Sequence, residues 1–286
     1  MVEFPAIFGH EGAGHILALG SEVKNKDLQI GDAVLLSFNT CGSCHACVNN
    51  HPAYCHIHPA VNHNAIRLSD GSTPASLEGG KSVRSQYFGH SSFANKSVVN
   101  EKCVVKCAHP ELMNIYAPIG CGFQTGAGTV LNVLKPKPSE SLVVFGCGGV
   151  GLSALMAAKY LEVECIIGVD VKAGRLDLAK ELGATHVVNP GEDGDVVKKI
   201  KEITGGDAKY SIDCTGLLKI IEQCIECIGP CGTAATVGVP PPGGKIEIDA
   251  LMFLLENKKY IGVIEGDSVP SEVCIDPWLN IGKQCN

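Results

Sequence analysis

No block of like charge stands out in this chain, whose net charge is −7. Phosphate binding needs clustered Lys and Arg, so nucleic acid is not an expected partner, and neither is an anionic membrane surface. The opening, MVEFPAIFGHEG, lacks the basic start and apolar run of a secretory leader. No internal repeat is visible. Two uncharged stretches, 112–134 and 141–158, reach membrane-spanning length, but both are loaded with glycine, and the first also carries Asn, Gln, Thr and Pro. The expectation is a cytoplasmic protein.

What is present is ordinary for a globular chain. The 286 residues are 45% hydrophobic and 19% charged, enough for about two domains and a sizeable core. The fifteen cysteines are not ordinary. In a reducing compartment, clustered CxxC pairs point to metal ligation or catalysis rather than a disulfide scaffold. Scattered ones such as Cys165, Cys214 and Cys227 read as small buried apolar residues.

Residues 1–38 mix short apolar runs, HILALG and IGDAVLLSF, with Gly-rich turns, and read as a β-rich, barrel-like unit. Residues 39–82 read as lobe and loop. After Pro136 and Pro138 the texture changes. Strands are expected at 142–145, 165–169, 186–189, 210–213, 233–239 and 260–264, with helices at 153–160, 175–182, 196–203 and 218–228. Alternating strands and helices imply a parallel, doubly wound α/β sheet. The expected division is 1–136, 137–270 and a tail, 271–286.

Within NTCGSCHACVNNHPAYC, Cys41, Cys44, Cys47 and Cys55 are spaced C-x2-C-x2-C-x7-C. Four thiolates this close can converge on one Zn²⁺ as a closed tetrahedral site. An iron–sulfur run begins similarly, but its fourth cysteine follows three residues later and precedes proline; here it follows seven later and precedes His56. The neighbouring His45, His51, His56, His58 and His63 read as solvent-facing loop residues.

In LVVFGCGGVG, Gly146, Gly148 and Gly151 form G-x-G-x-x-G between an apolar strand and a helix. The first glycine permits a tight turn, the second close approach of a pyrophosphate, the third helix-on-strand packing. Asp170 ends the next strand, where a carboxylate accepts from a ribose 2′-OH and repels a 2′-phosphate, so NAD is favoured over NADP. Lys172 and Arg175 are the residues that could tolerate the phosphate. Two isolated residues, His10 in GHEGAGH and Cys121 in PIGCGFQTGAG, would supply two of the three protein ligands of a catalytic zinc. Spacing alone does not decide between that and a structural role.

GHEGAG, GDAV, CGSCHACVNNHPAYC, GCGFQTGAG, GCGGVG, GVD and VGVPPP occur in the order seen in the zinc-containing medium-chain alcohol dehydrogenases. The resemblance runs over about 2–270; HPAYC and YFGHSSFA resemble the aryl-alcohol (benzyl-alcohol) branch. It implies a GroES-like catalytic domain plus a Rossmann domain. It also implies that Cys41, Cys44, Cys47 and Cys55 hold a structural zinc, that His10 and Cys121 are catalytic zinc ligands, and that Glu11 is the acid behind that metal. Thr125 and Val150 would lie beside the nicotinamide, and Gly146, Gly148, Gly151, Asp170 and Arg175 would bind the coenzyme. The implied reaction is hydride transfer from a primary, aromatic or bulky alcohol to NAD, giving an aldehyde. The implied assembly is a homodimer through the last Rossmann strand.

The family also places one zinc cysteine, with an adjacent Ser or Thr, upstream of GHE, and this chain begins nine residues before His10. Beyond GDSVP the resemblance stops. The expectation is therefore a truncated member. Its second zinc is held weakly by His10 and Cys121, with Glu11 available as third ligand, and the alternative to an enzyme is an inactive, NAD-binding zinc protein. A zinc-free quinone-type reductase is disfavoured by the complete lobe and GHE motif.

Overall fold

The computed structural model describes residues 2–270, so the 271–286 tail lies outside the described residues. The chain divides into two compact units, one running to Gly122 and one over Phe123–Asp267.

The first unit contains a three-stranded antiparallel sheet of β1 (Ala13–His15), β2 (Ala33–Leu36) and β5 (Val104–Lys106), with β2 in the centre. All four residues of β2, AVLL, are buried, as a central strand of apolar and β-branched residues requires. A small ribbon of β3 (Ala75–Ser76) and β4 (Ser82–Val83) stands apart. The strand expected from HILALG ends early. His15 pairs with Ala33, the first residue of β2, and beyond it Leu17 and Leu19 are exposed. A second core gathers Phe38, Ala53 and Phe88 beneath the cysteine-rich segment.

The second unit is a six-stranded, all-parallel sheet of β6 (Ser141–Phe145), β7 (Cys165–Val169), β8 (His186–Val188), β9 (Ala208–Asp213), β10 (Ile228–Thr236) and β11 (Lys259–Gly262). The strand order is β11-β10-β9-β6-β7-β8. Successive side chains of β6 serve opposite layers: Leu142 and Val144 join one apolar cluster, Val143 and Phe145 the other. The order reverses between β6 and its two neighbours, which opens a crevice at the carboxyl ends of the strands. β10 starts five residues earlier than its apolar run suggests, because an irregularity between Ile228 and Thr233 lets two separate stretches pair with β9.

The two uncharged stretches do not form single helices. Residues 112–134 divide among Met113–Tyr116, Ala117–Gly120, Gly122–Gly128 and a π-helical segment, Thr129–Leu134. Residues 141–158 are β6, the glycine turn and most of the helix Gly149–Tyr160. Among the described residues no helix is long and apolar enough to cross a membrane.

Candidate metal centres and coenzyme cradle

The cysteine lobe is a loop folded back on itself. Gly42, at φ +74°, turns the chain between Cys41 and Cys44, and Cys44 caps the short helix His45–Val48, which carries Cys47. The turn Pro52–Tyr54 then returns Cys55, which is buried. The four sulfurs all lie within 4.8 Å of one another, with Cys41–Cys47 at 3.8 Å and Cys44–Cys47 at 3.5 Å. A tetrahedron with Zn–S bonds of ~2.3 Å puts its sulfurs ~3.8 Å apart, so spacing and donor chemistry both fit zinc.

Backbone amides already point at the sulfurs. Ser43 and Cys44 donate to Cys41 Sγ at 3.4 and 3.2 Å, Cys41 to Cys55 Sγ at 3.3 Å, and His56 to Cys44 Sγ at 3.5 Å. The Cys41 thiol is pulled down to about 6, chiefly by the Ser43 amide, and Cys44 is lowered chiefly by the His56 amide. Burial pushes Cys47 up to about 12 and raises Cys55. Without a cation the group thus shares its protons unevenly; a divalent ion favours thiolate on all four.

The second constellation joins His10, Glu11 and Cys121, whose ligand atoms also lie within 4.8 Å of one another. Close backbone approach makes this possible. A Cβ on Gly120 would fall 1.9 Å from the Leu36 carbonyl oxygen, and one on Gly9 (φ +94°) 2.5 Å from the Phe93 nitrogen. The Gly122 amide donates to Glu11 Oε1 at 3.0 Å, and Ser37 Oγ donates to the Gly120 carbonyl at 2.8 Å, anchoring the residue before Cys121. An imidazole, a carboxylate and a thiol converging on one point fit zinc as well. The Phe88 ring centroid lies 4.8 Å from that of His10, and Tyr87 lies 6.0 Å away. Burial raises the Tyr87 phenol, and the nearby Cys121 thiolate raises it further.

Ser37, Tyr87 and Phe88 had no site role in the sequence reading, although YFGHSSFA marks the two rings. Their roles depend on pairing across about eighty residues, which local pattern does not encode. The histidine reading needs one correction. His45, His51, His56 and His63 are exposed, but His58 is buried at the start of the helix His58–His63. Phe38 and Phe88 flank its ring. Burial, followed by the charge of His63, lowers it to about 4.

In the second unit Gly146 adopts φ +92° at the end of β6, as a tight turn requires. A Cβ on Gly151 would meet the Gly146 carbonyl at 1.9 Å, whereas Gly148 has open space around it. A pyrophosphate cradle needs that combination ahead of a helix N-terminus. Asp170, buried beyond β7, accepts from the Cys147 amide through Oδ2 and from the Lys172 amide through Oδ1, both at 2.9 Å. Arg175 Nη1 stands 3.5 Å from Oδ2. Gly126, the residue after Thr125, packs so closely on Val150 that a Cβ there would meet its carbonyl at 1.9 Å.

The alcohol dehydrogenase GroES-like domain model matches residues 1–109, and the zinc-binding dehydrogenase model matches 149–275. A geraniol dehydrogenase of Castellaniella defragrans is 40% identical over 270 residues, covering 94% of this chain and 71% of the relative. An alcohol dehydrogenase zinc-binding domain protein from Burkholderia ambifaria superposes with a TM-score of 0.93 at 40% identity, over 98% of this chain and 75% of that one. A benzyl alcohol dehydrogenase from Acinetobacter calcoaceticus gives a TM-score of 0.90 at 38% identity, over 99% and 75%.

Proposed function

The chain belongs to the zinc-binding alcohol dehydrogenases, with a GroES-like and a Rossmann domain, and from that premise we infer that it oxidises aromatic or bulky primary alcohols to aldehydes with NAD. The observation that carries this reading is the meeting of His10, Glu11 and Cys121 beside an aromatic wall. When bound, zinc acidifies the alcohol hydroxyl and the nicotinamide takes up the hydride.

The chain's own residues do the rest. His10 and Cys121 hold the metal, and Glu11, fixed by the Gly122 amide, supplies the third donor. Phe8, Tyr87 and Phe88 form a continuous run of rings, with Phe8–Tyr87 at 5.2 Å and Tyr87–Phe88 at 5.0 Å. In a chain only 5% aromatic this concentration suits a flat apolar substrate, and the benzyl alcohol and geraniol dehydrogenases resembling it support that choice. The Gly146–Gly151 turn takes the pyrophosphate, and Thr125 and Val150 flank the nicotinamide. Asp170 takes the ribose hydroxyls, with Arg175 beside it, which favours NAD over NADP.

Cys41, Cys44, Cys47 and Cys55 hold the structural zinc. The second ion, with one thiolate against four, is held more weakly. The catalytic domain is assigned to 1–136 and the coenzyme domain to 137–270. β11 is an edge strand with exposed Tyr260, preceded by exposed Leu251, Leu254 and Leu255, and this edge is assigned to a homodimer. The thiol-rich composition suits the cytoplasm.

The test is NADH formation from benzyl alcohol, with ethanol as the small comparison. The reading expects zinc-dependent turnover that prefers benzyl alcohol and disappears in His10→Ala. Equal rates in His10→Ala, or turnover indifferent to zinc, would overturn it.

A further inference from the structure

The four-cysteine lobe carries a charge problem that its own residues do not solve. Four thiolates around one divalent cation leave a net charge of about −2, and the loop 39–55 contains no Lys or Arg. A cation reaches it from elsewhere in the chain. Lys102 Nζ donates to the Cys41 carbonyl at 2.6 Å and to the Thr40 carbonyl at 3.2 Å, across about sixty residues of sequence.

The approach is built rather than incidental. Asn100 Oδ1 accepts from the Lys102 amide and starts the turn Glu101–Cys103. Cys103 is fully buried and anchors that turn. The preceding residue's carboxylate, that of Glu101, is engaged by the amides of Lys24 and Asn25. On the lobe side, Gly42 leaves room for the ammonium, since a Cβ there would lie 3.1 Å from Lys102 Nζ. Cys41, whose carbonyl takes the shorter bond, is also the sulfur that receives two backbone amides.

We propose that Lys102 is a positioning residue and counter-charge for the four-cysteine metal centre, holding the Cys41 turn closed and slowing metal loss. Outer groups of this kind commonly tune metal retention by about tenfold or more. The assignment rests on the zinc reading of the lobe given above. It does not depend on turnover.

The experiment follows zinc release from the zinc-loaded full chain to a chromogenic chelator, with cobalt substitution identifying the thiolate-bound ion by its charge-transfer absorption. Lys102→Met should speed release of that ion about tenfold. Lys102→Arg should stay near the wild-type rate, and Lys180→Met, an exposed control in the second unit, should change nothing. The Lys102→Met effect should shrink toward about 1 M salt, where exposed charges are screened; a purely steric role would not show this. Circular dichroism melting keeps a misfolded variant from being scored. Unchanged release in a folded Lys102→Met, or equally fast release in Lys102→Arg, overturns the assignment. A wild-type chain with no cysteine-bound ion overturns the zinc reading, and the Lys102 assignment with it.

Discussion

Asp170 shows how much one side chain is asked to do. Each of its oxygens already receives a backbone amide, from Cys147 and from Lys172, so the carboxylate fixes the glycine turn in addition to its proposed role toward the coenzyme ribose. Asp170→Asn replaces one acceptor by a donor aimed at an amide. That costs about 1–3 kcal/mol of stability, and kcat/KM for NAD should fall by about tenfold or more, read from initial rates and urea melts. Cys47→Ser should remove about one zinc per chain and lower the melting temperature, because the lobe has few apolar residues to hold it. The cysteine cluster and the three glycines were legible in the sequence because their ligands or turns are local. His58 was not: its burial depends on Phe38 and Phe88, far away in sequence.

Elements meet here at glycines. The helix Gly122–Gly128 packs against the start of Gly149–Tyr160 through Gly126, and the latter helix closes on β6 through Gly151. Gly151→Ala drives a methyl group to 1.9 Å from a backbone carbonyl. Coenzyme binding, measured by NADH fluorescence, should be lost, with about 1–3 kcal/mol of stability. The β–α alternation was readable from apolar runs, but their ends were not. The strand expected from HILALG ends opposite the first residue of β2, and β10 starts before its apolar run. Pairing partners set those limits. The β11 edge gives an assembly test: Tyr260→Asp should shift the mass in solution from dimer to monomer, and an unchanged mass would remove that assignment.

At the scale of the whole molecule, acid should be destabilising through two buried histidines. Burial holds both His58 and His90 at about 4, against an ordinary 6.5. The unfolded chain therefore binds these protons more readily. The stability they permit is full above pH ~6.5 and is lost as pH falls toward ~4, by about 1 kcal/mol per pH unit for each. Urea melts over this range should show the slope, and His58→Leu should flatten it. If that variant keeps the full slope, His58 is not a contributor.

The central claim is that a metal held by His10, Glu11 and Cys121 serves alcohol oxidation. The most direct measurement is the rate of NADH formation from benzyl alcohol and NAD by the zinc-loaded chain, set beside His10→Ala and Cys121→Ala. The account predicts turnover by the unaltered chain and a fall of about a hundredfold or more in each variant. No NADH above the variants' background would contradict it.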